Sequence, residues 1–142
     1  MLALTLTPGL AQISTVLTVT PPEKIAGKKN EIVTADFKLQ LRAGYHVNSN
    51  TPNDEFLIPL RFSWTNGAAE AREVLFPKPQ QEKYEFSQKP VSVFSGEFRA
   101  QAKFKLVSTG NMMGKLRYQA CSDKVCLPPR TIEVKLPVEV QN

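Results

Sequence analysis

The residues of this sequence with the clearest chemical capacity are its only two cysteines, Cys121 and Cys126. Four residues separate them, so a turn can bring their Cα atoms within the ~4.4 to 6.8 Å that a disulfide requires. A ring of about six residues restricts the unfolded chain little and contributes only about 2 kcal/mol. A chain of 142 residues can bury a normal core without such a link. The pair is therefore better suited to reversible thiol–disulfide exchange than to reinforcement.

Charged side chains near the cysteines would influence that exchange. Lys124 between the cysteines and Arg130 after them would stabilise a thiolate, whereas Asp123 would oppose it. Asp123 and Glu85 are also candidate proton donors or acceptors. The sequence leaves the net effect on the thiolate open.

The segment from Tyr118 to Pro129 resembles the redox loop of the N-terminal periplasmic domain of DsbD-type thiol:disulfide interchange proteins. Its sequence is Tyr-Gln-Ala-Cys-Ser-Asp-Lys-Val-Cys-Leu-Pro-Pro, with the family's Tyr-Gln-x-Cys start and Cys-x-Pro-Pro end. Gly44-Tyr45-His46-Val47 is similar to the family's Gly-aromatic segment, and Tyr84-Glu85-Phe86 is similar to its active-site cap. The likeness extends from about residue 31 to residue 138.

The resemblance implies a fold, an activity and partners. The fold would be an immunoglobulin-like sandwich, and the activity would be that of a protein-disulfide reductase without a cofactor. A thioredoxin-like domain would reduce the Cys121/Cys126 pair, which would then reduce oxidised periplasmic thioredoxin-fold proteins, with a link to cytochrome c maturation. Fusion to a membrane electron-transfer domain in a longer protein stays open. The implied site comprises the cysteines, a cap and a surrounding loop with these further residues: Tyr45, Tyr84, Glu85, Phe86, Tyr118 and Asp123.

The two sulfurs are predicted to have different roles. Pro128 and Pro129 lack amide hydrogens and favour an extended chain after Cys126, which would present that sulfur to partners. Cys121 follows a strand that ties it to the sandwich. We therefore expect Cys126 to form the mixed disulfide and Cys121 to resolve it, as the family resemblance also implies.

The rest of the chain has the pattern of an all-β protein. Eleven prolines, seven glycines and many short apolar runs favour strands over helices. Apolar residues alternate with polar ones over residues 33–41, 56–64, 98–106 and 132–138, which is typical of half-buried strands. Seven or eight short strands with turns at this spacing predict a β-sandwich, and the resemblance implies that it is an immunoglobulin-like antiparallel β-sandwich. The predicted core comprises Val33, Phe37, Leu39, Phe62, Trp64, Phe98, Phe104, Leu116, Ile132 and Val134.

Some segments have a less regular pattern. Pro59 cannot donate a ladder hydrogen bond, so residues 56–64 are predicted to form an edge strand or to contain a bulge. Residues 73–76 are interpreted as a short strand, although residues 68–72 could form a helical turn. Residues 80–89 are predicted to be a polar loop.

The chain is interpreted as one domain over residues 13–142, preceded by an arm over residues 1–12. The arm is apolar and contains a small-x-small pattern at Gly9-Leu10-Ala11, so it is either the tail of a signal sequence or a disordered arm. No run of residues approaches the ~18 apolar residues that span a membrane. With the resemblance, these features predict an exported, periplasmic domain.

Other functions are less consistent with the sequence. The net charge of +5 could suggest nucleic acid, but the basic residues alternate with apolar ones and do not cluster. His46 is the only histidine, and a surface or loop-packing role fits it better than that of a catalytic base or metal ligand. A zinc site of Cys121, Cys126 and His46 would lack a fourth protein ligand, so we expect no metal.

The competing function is a non-enzymatic immunoglobulin-like binding or structural module with an inert disulfide. A structural disulfide has a reduction potential below about −300 mV, whereas an exchanging disulfide lies higher. The potential therefore separates the two hypotheses.

Overall fold

The computed structural model describes residues 12–13 and 16–142, and the regular structure within them consists of β-strands. The strands in this part of the chain are β1 Gln12–Ile13, β2 Leu17–Thr20, β3 Ile25–Lys28, β4 Ile32–Leu41, β5 His46–Asn48, β6 Arg61–Thr65, β7 Ala69–Leu75, β8 Gln80–Glu82, β9 Val91–Ser95, β10 Glu97–Leu106, β11 Gly110–Tyr118, β12 Ala120–Cys121 and β13 Arg130–Gln141.

Two large sheets form the sandwich that the alternating pattern predicts. One sheet has the strand order β1-β2-β4-β10-β7, and the other has the order β3-β13-β11-β6. The long pairs β4·β10 and β11·β13 are antiparallel. The pair β3·β13 is parallel, which is an exception within the predicted antiparallel sandwich. Because β3 and β13 are far apart in sequence, no hairpin constrains them to run in opposite directions.

The core lies between these sheets and is rich in aromatic rings. Phe37 of β4 is fully buried, and its ring centroid lies 4.9 Å from that of Phe62 and 5.6 Å from that of Trp64 on β6. A Cβ atom on Gly114 would lie 2.7 Å from the Trp64 ring, so this position in β11 requires glycine. Of the predicted core residues, Val33 and Trp64 are partly buried against the core, and the others are buried.

A third, smaller sheet has the strand order β12-β5-β9-β8. Side chains alternate between its two faces. Val47, Phe94 and Ala120 belong to the main core, whereas Val93 and Cys121 are buried but lie outside that core. The outer face of this sheet is therefore covered by other parts of the chain.

Two local predictions need correction, and an alternative left open by the sequence is excluded. Residues 56–60 form a loop and not a strand; Phe56 is 85% exposed, and its N–H donates to the Asp54 side chain in a turn. Strand β6 therefore begins only after Pro59, although it does lie at a sheet edge. The short strand interpreted over residues 73–76 is found as part of β7, which begins earlier, at Ala69, so the alternative of a helical turn over residues 68–72 is excluded. Residues 80–82 form β8 because they pair with β9, whereas the prediction placed them in a loop.

The prediction for the N-terminal arm lies largely outside the described residues. Gln12 is the exception, because it pairs with Val19 in the β1·β2 ladder. Within residues 12–13 and 16–142, no helix is long and apolar enough to cross a membrane.

Phe37→Ala should lower the free energy of unfolding by about 3 to 5 kcal/mol, because it leaves a cavity among the core rings. Met113→Ala is the control, since Met113 is 46% exposed on β11 and should change stability by about 0.5 kcal/mol or less. Urea unfolding followed by Trp64 fluorescence measures both values. Equal losses in the two variants would contradict the assignment of the core.

Candidate functional site: a disulfide hairpin beside an aromatic loop

Cys121 and Cys126 are joined by a disulfide. Cys121 ends the short strand β12, and Cys126 forms an isolated antiparallel bridge with it. Their Cα atoms lie 3.9 Å apart, which is closer than the range expected from the sequence. The turn between them is therefore tight.

The backbone hydrogen bonds around the cysteines explain this close approach. The Leu127 N–H donates to the Ala120 carbonyl and the Ser122 N–H donates to the Val125 carbonyl, both at 2.8 Å. These bonds flank the two cysteines, which therefore occupy a non-hydrogen-bonded antiparallel position. In that position, facing Cα atoms approach most closely and their side chains lie on the same side.

The side chain of Ser122 stabilises the turn. Its Oγ accepts hydrogen bonds from the N–H groups of Lys124 at 3.2 Å and Val125 at 3.1 Å. Outside the turn, the Gln119 Nε2 donates to the Leu127 carbonyl at 3.3 Å. The hairpin, residues 119–127, is thus closed by hydrogen bonds at its tip and at its base.

The two cysteines differ in exposure. Cys121 is 1% exposed, whereas Cys126 is half-buried. Val125, at the tip of the hairpin, is 58% exposed. The hairpin therefore presents its second cysteine to solvent more than its first.

The charged residues predicted to influence the sulfurs are all exposed. Asp123, Lys124 and Arg130 lie at the surface of the hairpin or just after it. Their charges are screened by water and salt, which weakens their effect on a thiolate.

His46 lies on β5 directly opposite Cys121 of β12 and opposite Ser95 of β9. Its side chain is 3% exposed and stacks on the Tyr84 ring, with centroids 4.0 Å apart and planes 7° from parallel. The Tyr84 and Phe86 rings are also nearly parallel, with centroids 5.4 Å apart. We call His46, Tyr84 and Phe86 the aromatic stack. The stack brings the predicted cap loop, residues 83–90 between β8 and β9, beside the strand position of Cys121.

A second loop, residues 49–60, also lies over this region. The Asn48 Nδ2 donates to the Ile58 carbonyl at 3.0 Å. The Asn53 Nδ2 donates to the Gln81 side chain at 2.9 Å and to the Pro90 carbonyl at 3.1 Å. Asn53 therefore ties this loop to both ends of the cap segment.

An open groove of about 750 Å³ separates residues 53–57 from residues 86–91. Phe86 lines this groove and is 39% exposed. The outer side of the cap loop is therefore loosely packed.

The rings of the aromatic stack have shifted acid–base properties. Burial lowers the pKa of His46 to about 4, so its ring is neutral at pH 7. Its Nε2 is buried without a hydrogen-bond partner among the described residues. Burial, together with the charge of Glu82, raises the pKa of the Tyr84 hydroxyl.

The remaining predicted site residues lie in different surroundings. Tyr118 is fully buried in the main core, and Tyr45 is partly buried against it with the Arg42 guanidinium 5.2 Å from its ring centroid. Glu85 and Asp123 are exposed on the cap loop and the hairpin. Tyr118 and Tyr45 thus support the elements around the disulfide, and their part in exchange stays a prediction.

The sequence interpretation missed Ser122, Asn53 and the stacking role of His46. A serine beside a predicted turn is a known signal, because its hydroxyl can bond to nearby backbone N–H groups. Asn53 and His46 act across long sequence separations, so no local pattern indicates their partners.

Both described cysteines are in the disulfide, and the described residues contain no group of three or more His, Cys, Asp and Glu side chains arranged to hold a metal ion.

The sequence matches the family model described as "Thiol:disulfide interchange protein DsbD, N-terminal" over residues 17–137. The match includes the hairpin, the cap loop, strands β2 to β12 and most of β13. A search of curated proteins gave no match.

Solved structures support the fold. The N-terminal periplasmic domain of ScsB from Proteus mirabilis is similar with a TM-score of 0.62 and 16% identity, over 87% of this chain and 49% of that chain. The DsbD N-terminal domain of Neisseria meningitidis in the reduced form is similar with a TM-score of 0.55 and 16% identity, over 72% of this chain and 75% of that chain. This chain therefore spans about half the length of the ScsB structure.

Ser122→Ala should make the disulfide easier to reduce. Without the Ser122 hydroxyl the turn is less stable, so in the reduced protein the two thiols are held less firmly at the distance needed to re-form the disulfide. The loss of two backbone-to-hydroxyl bonds is worth about 1 to 2 kcal/mol, which corresponds to roughly 20 to 40 mV. Ser122→Thr keeps the hydroxyl and is the control. Equilibration with glutathione buffers measures the potentials, and equal values for wild type and Ser122→Ala would show that this side chain does not hold the turn.

Proposed function

Because the chain belongs to the family of the N-terminal domain of thiol:disulfide interchange protein DsbD, we propose that it exchanges thiols and disulfides with thioredoxin-fold proteins through Cys121 and Cys126. The observation that carries the proposal is the disulfide itself, which joins a buried and a half-buried cysteine in a hairpin beside an aromatic loop. A disulfide within one short hairpin constrains little of the fold, and its half-buried cysteine, Cys126, follows the exposed tip of the hairpin.

Reduction of the domain would proceed in two displacements. A thiolate of the electron donor attacks the Cys126 sulfur, a mixed disulfide forms, and Cys121 leaves as a thiolate that takes up a proton. A second donor thiolate then attacks the donor sulfur of the mixed disulfide and releases Cys126. The donor becomes a disulfide and the domain becomes a dithiol, so two electrons are transferred.

The reduced domain would pass these electrons on by the same chemistry. The Cys126 thiolate attacks the disulfide of an oxidised acceptor, and the displaced acceptor sulfur leaves as a thiol. Cys121 then attacks Cys126, which restores the intramolecular disulfide and releases the acceptor in its dithiol form.

The unequal exposure of the sulfurs supports these roles. Cys126 is half-buried and follows the exposed hairpin tip, so an incoming thiolate can reach it. Cys121 is 1% exposed on β12, where its strand partner His46 lies under the cap loop. A sulfur in that position is suited to attack its neighbour within the hairpin and is poorly placed to meet a second protein.

The wider setting is part of the proposal. Residues 13–142 would act as one redox domain in the periplasm, the compartment named for the similar ScsB domain. The partners would be thioredoxin-fold proteins or domains, including those that serve cytochrome c maturation, and a longer protein could join this domain to a membrane electron-transfer domain.

Cys121→Ser should accumulate a covalent complex with a thioredoxin-fold partner through Cys126, because the resolving thiol is missing. The partner is supplied as an oxidised thioredoxin-fold domain, and non-reducing electrophoresis with mass spectrometry identifies the linked cysteine. Cys126→Ser is the matched control and should trap little complex.

A complex formed mainly by Cys126→Ser would reverse the two roles. If neither variant forms a complex with thioredoxin-fold domains, the inert structural disulfide becomes the better account of the cysteines.

Tyr84→Ala combined with Phe86→Ala should speed reduction of the disulfide by small thiols roughly tenfold, since each aromatic contact contributes about 0.5 to 1.5 kcal/mol to a closed loop. Phe56→Ala is the control, because Phe56 is an exposed ring on the neighbouring loop. Stopped-flow reduction with dithiothreitol measures the rates. An unchanged rate in the double variant would remove the cap function.

A further inference from the structure

We propose that His46 is a positioning residue for the exchange reaction, whose neutral ring holds the cap loop closed beside the disulfide and whose protonation releases that loop. The proposal rests on the proposed function, because it concerns access to the same sulfurs. It adds a residue to the site, and it makes access to the disulfide depend on pH.

The first step is the fixed position of His46. Its backbone pairs with Cys121 on one side and with Ser95 on the other, so β5 lies between two strands. Side chains directly opposite one another in an antiparallel pair lie on the same face, with Cβ atoms about 4.5 to 5.5 Å apart. The imidazole is therefore held next to the Cys121 side chain and cannot follow the cap loop if that loop moves.

The second step is that the cap tip is attached to the sheet mainly through this ring. The hydrogen bonds between Ser87 and Tyr84 are local to the loop, and Asn53 ties down the ends of the segment, at Gln81 and Pro90. Between those ends, Tyr84 stacks on His46 at 4.0 Å, and Phe86 lies in a nearly parallel plane with its centroid 6.2 Å from that of His46. Loss of the stack would free the tip while its ends stay anchored.

The third step is the cost of a charge at this position. The imidazole is 3% exposed, and its Nε2 has no hydrogen-bond partner within the described part of the chain. Protonation would place a charged N–H group in this buried site, which is costly without an acceptor. An open cap loop would let water reach the ring and remove that cost.

The charged and titratable groups around His46 do not remove this cost. Arg42 precedes β5, Asp54 and Glu55 lie in the loop of residues 49–60, and Asp123 and Lys124 lie on the hairpin. The segment from β8 into the cap loop contributes Glu82, Lys83, Tyr84 and Glu85, and β9 has no charged side chain. Burial is the cause of the lowered pKa. The charged groups on the cap and hairpin are themselves exposed, Tyr84 being half-buried.

The direction of the pH effect follows from linkage. The pKa of His46 is about 4 in the closed structure and about 6.5 when the ring is in water. Between these values the open form binds more protons, so the closed form loses stability as the pH falls from about 6.5 toward 4. Access to the disulfide should therefore rise over that range.

The first experiment compares wild type with His46→Phe, which keeps a flat ring but cannot be protonated. A phosphine reductant is applied from pH 4 to pH 7, and the reaction is followed by thiol alkylation and mass spectrometry. The wild-type rate divided by the variant rate cancels the pH dependence of the reductant. This ratio should be near one at pH 7 and rise on the order of tenfold by pH 5. A ratio that stays flat would overturn the proposal.

The second experiment needs no His46 variant and so cannot fail through misfolding at that position. His46 is the only histidine in the sequence, so its ring protons can be assigned directly in the NMR spectrum of the untagged protein. The pKa should be near 4 in wild type and should move toward 6.5 when Tyr84 and Phe86 are both alanine, because the ring is then exposed. The Phe56→Ala control should keep the wild-type value. An unshifted pKa in the double variant would refute the coupling of ring and cap.

These results are independent of the trapping experiment. Suppose that no covalent complex is trapped, while the rate ratio changes with pH and the pKa of His46 shifts in the double variant. His46 then controls the cap loop, but thioredoxin-fold proteins are not the exchange partners. If a complex is trapped but neither the rate ratio nor the pKa of His46 changes, the exchange function is supported and His46 has only a packing role.

Discussion

The structure of the site depends on the burial of both faces of the small sheet β12-β5-β9-β8. Its inner face is fixed by the main core, where Val47, Phe94 and Ala120 join the rings and aliphatic side chains of the sandwich. Its outer face cannot be left in water, because it contains Val93 and Cys121 as well as the ring of His46. The cap loop and residues 49–60 lie over that face, and under the proposed cap function this cover would set the access to the disulfide.

This arrangement separates stability from reactivity. The free energy of folding comes mainly from the two large sheets, whose core includes Phe37 and its aromatic neighbours. Under the proposed function, the disulfide would break and re-form within the hairpin without unfolding the sandwich. The cap loop is held by stacked rings whose contribution is only about 1 to 3 kcal/mol. Under the proposed cap function, such a loop would exclude small molecules and move when a larger partner binds.

The burial of Cys121 and the exposure of the hairpin tip give the two sulfurs different surroundings although they belong to one short turn. The cause is the pairing of β12 with β5, which extends only to residue 121. Beyond that point the chain leaves the sheet, the Ser122 turn reverses it, and Cys126 returns outside the ladder. The strand end thus determines which cysteine is buried, and this difference supports the assignment of Cys126 as the sulfur that meets partners.

The sequence alone determined the features that depend on neighbouring residues. Alternation over residues 33–41 and 98–106 predicted the central strands because the side-chain period of a strand is a local property, and the spacing of Cys121 and Cys126 predicted a turn that could be closed by a disulfide. The same reasoning overextended the strand before β6, where a turn at Asp54 competes with pairing. Only the tertiary structure decided that His46 lies opposite Cys121 and beneath Tyr84, and that β13 pairs in parallel with β3. These contacts join segments that are far apart in sequence. They form because whole faces of the sheets become buried against one another, and no local sequence pattern encodes which faces meet.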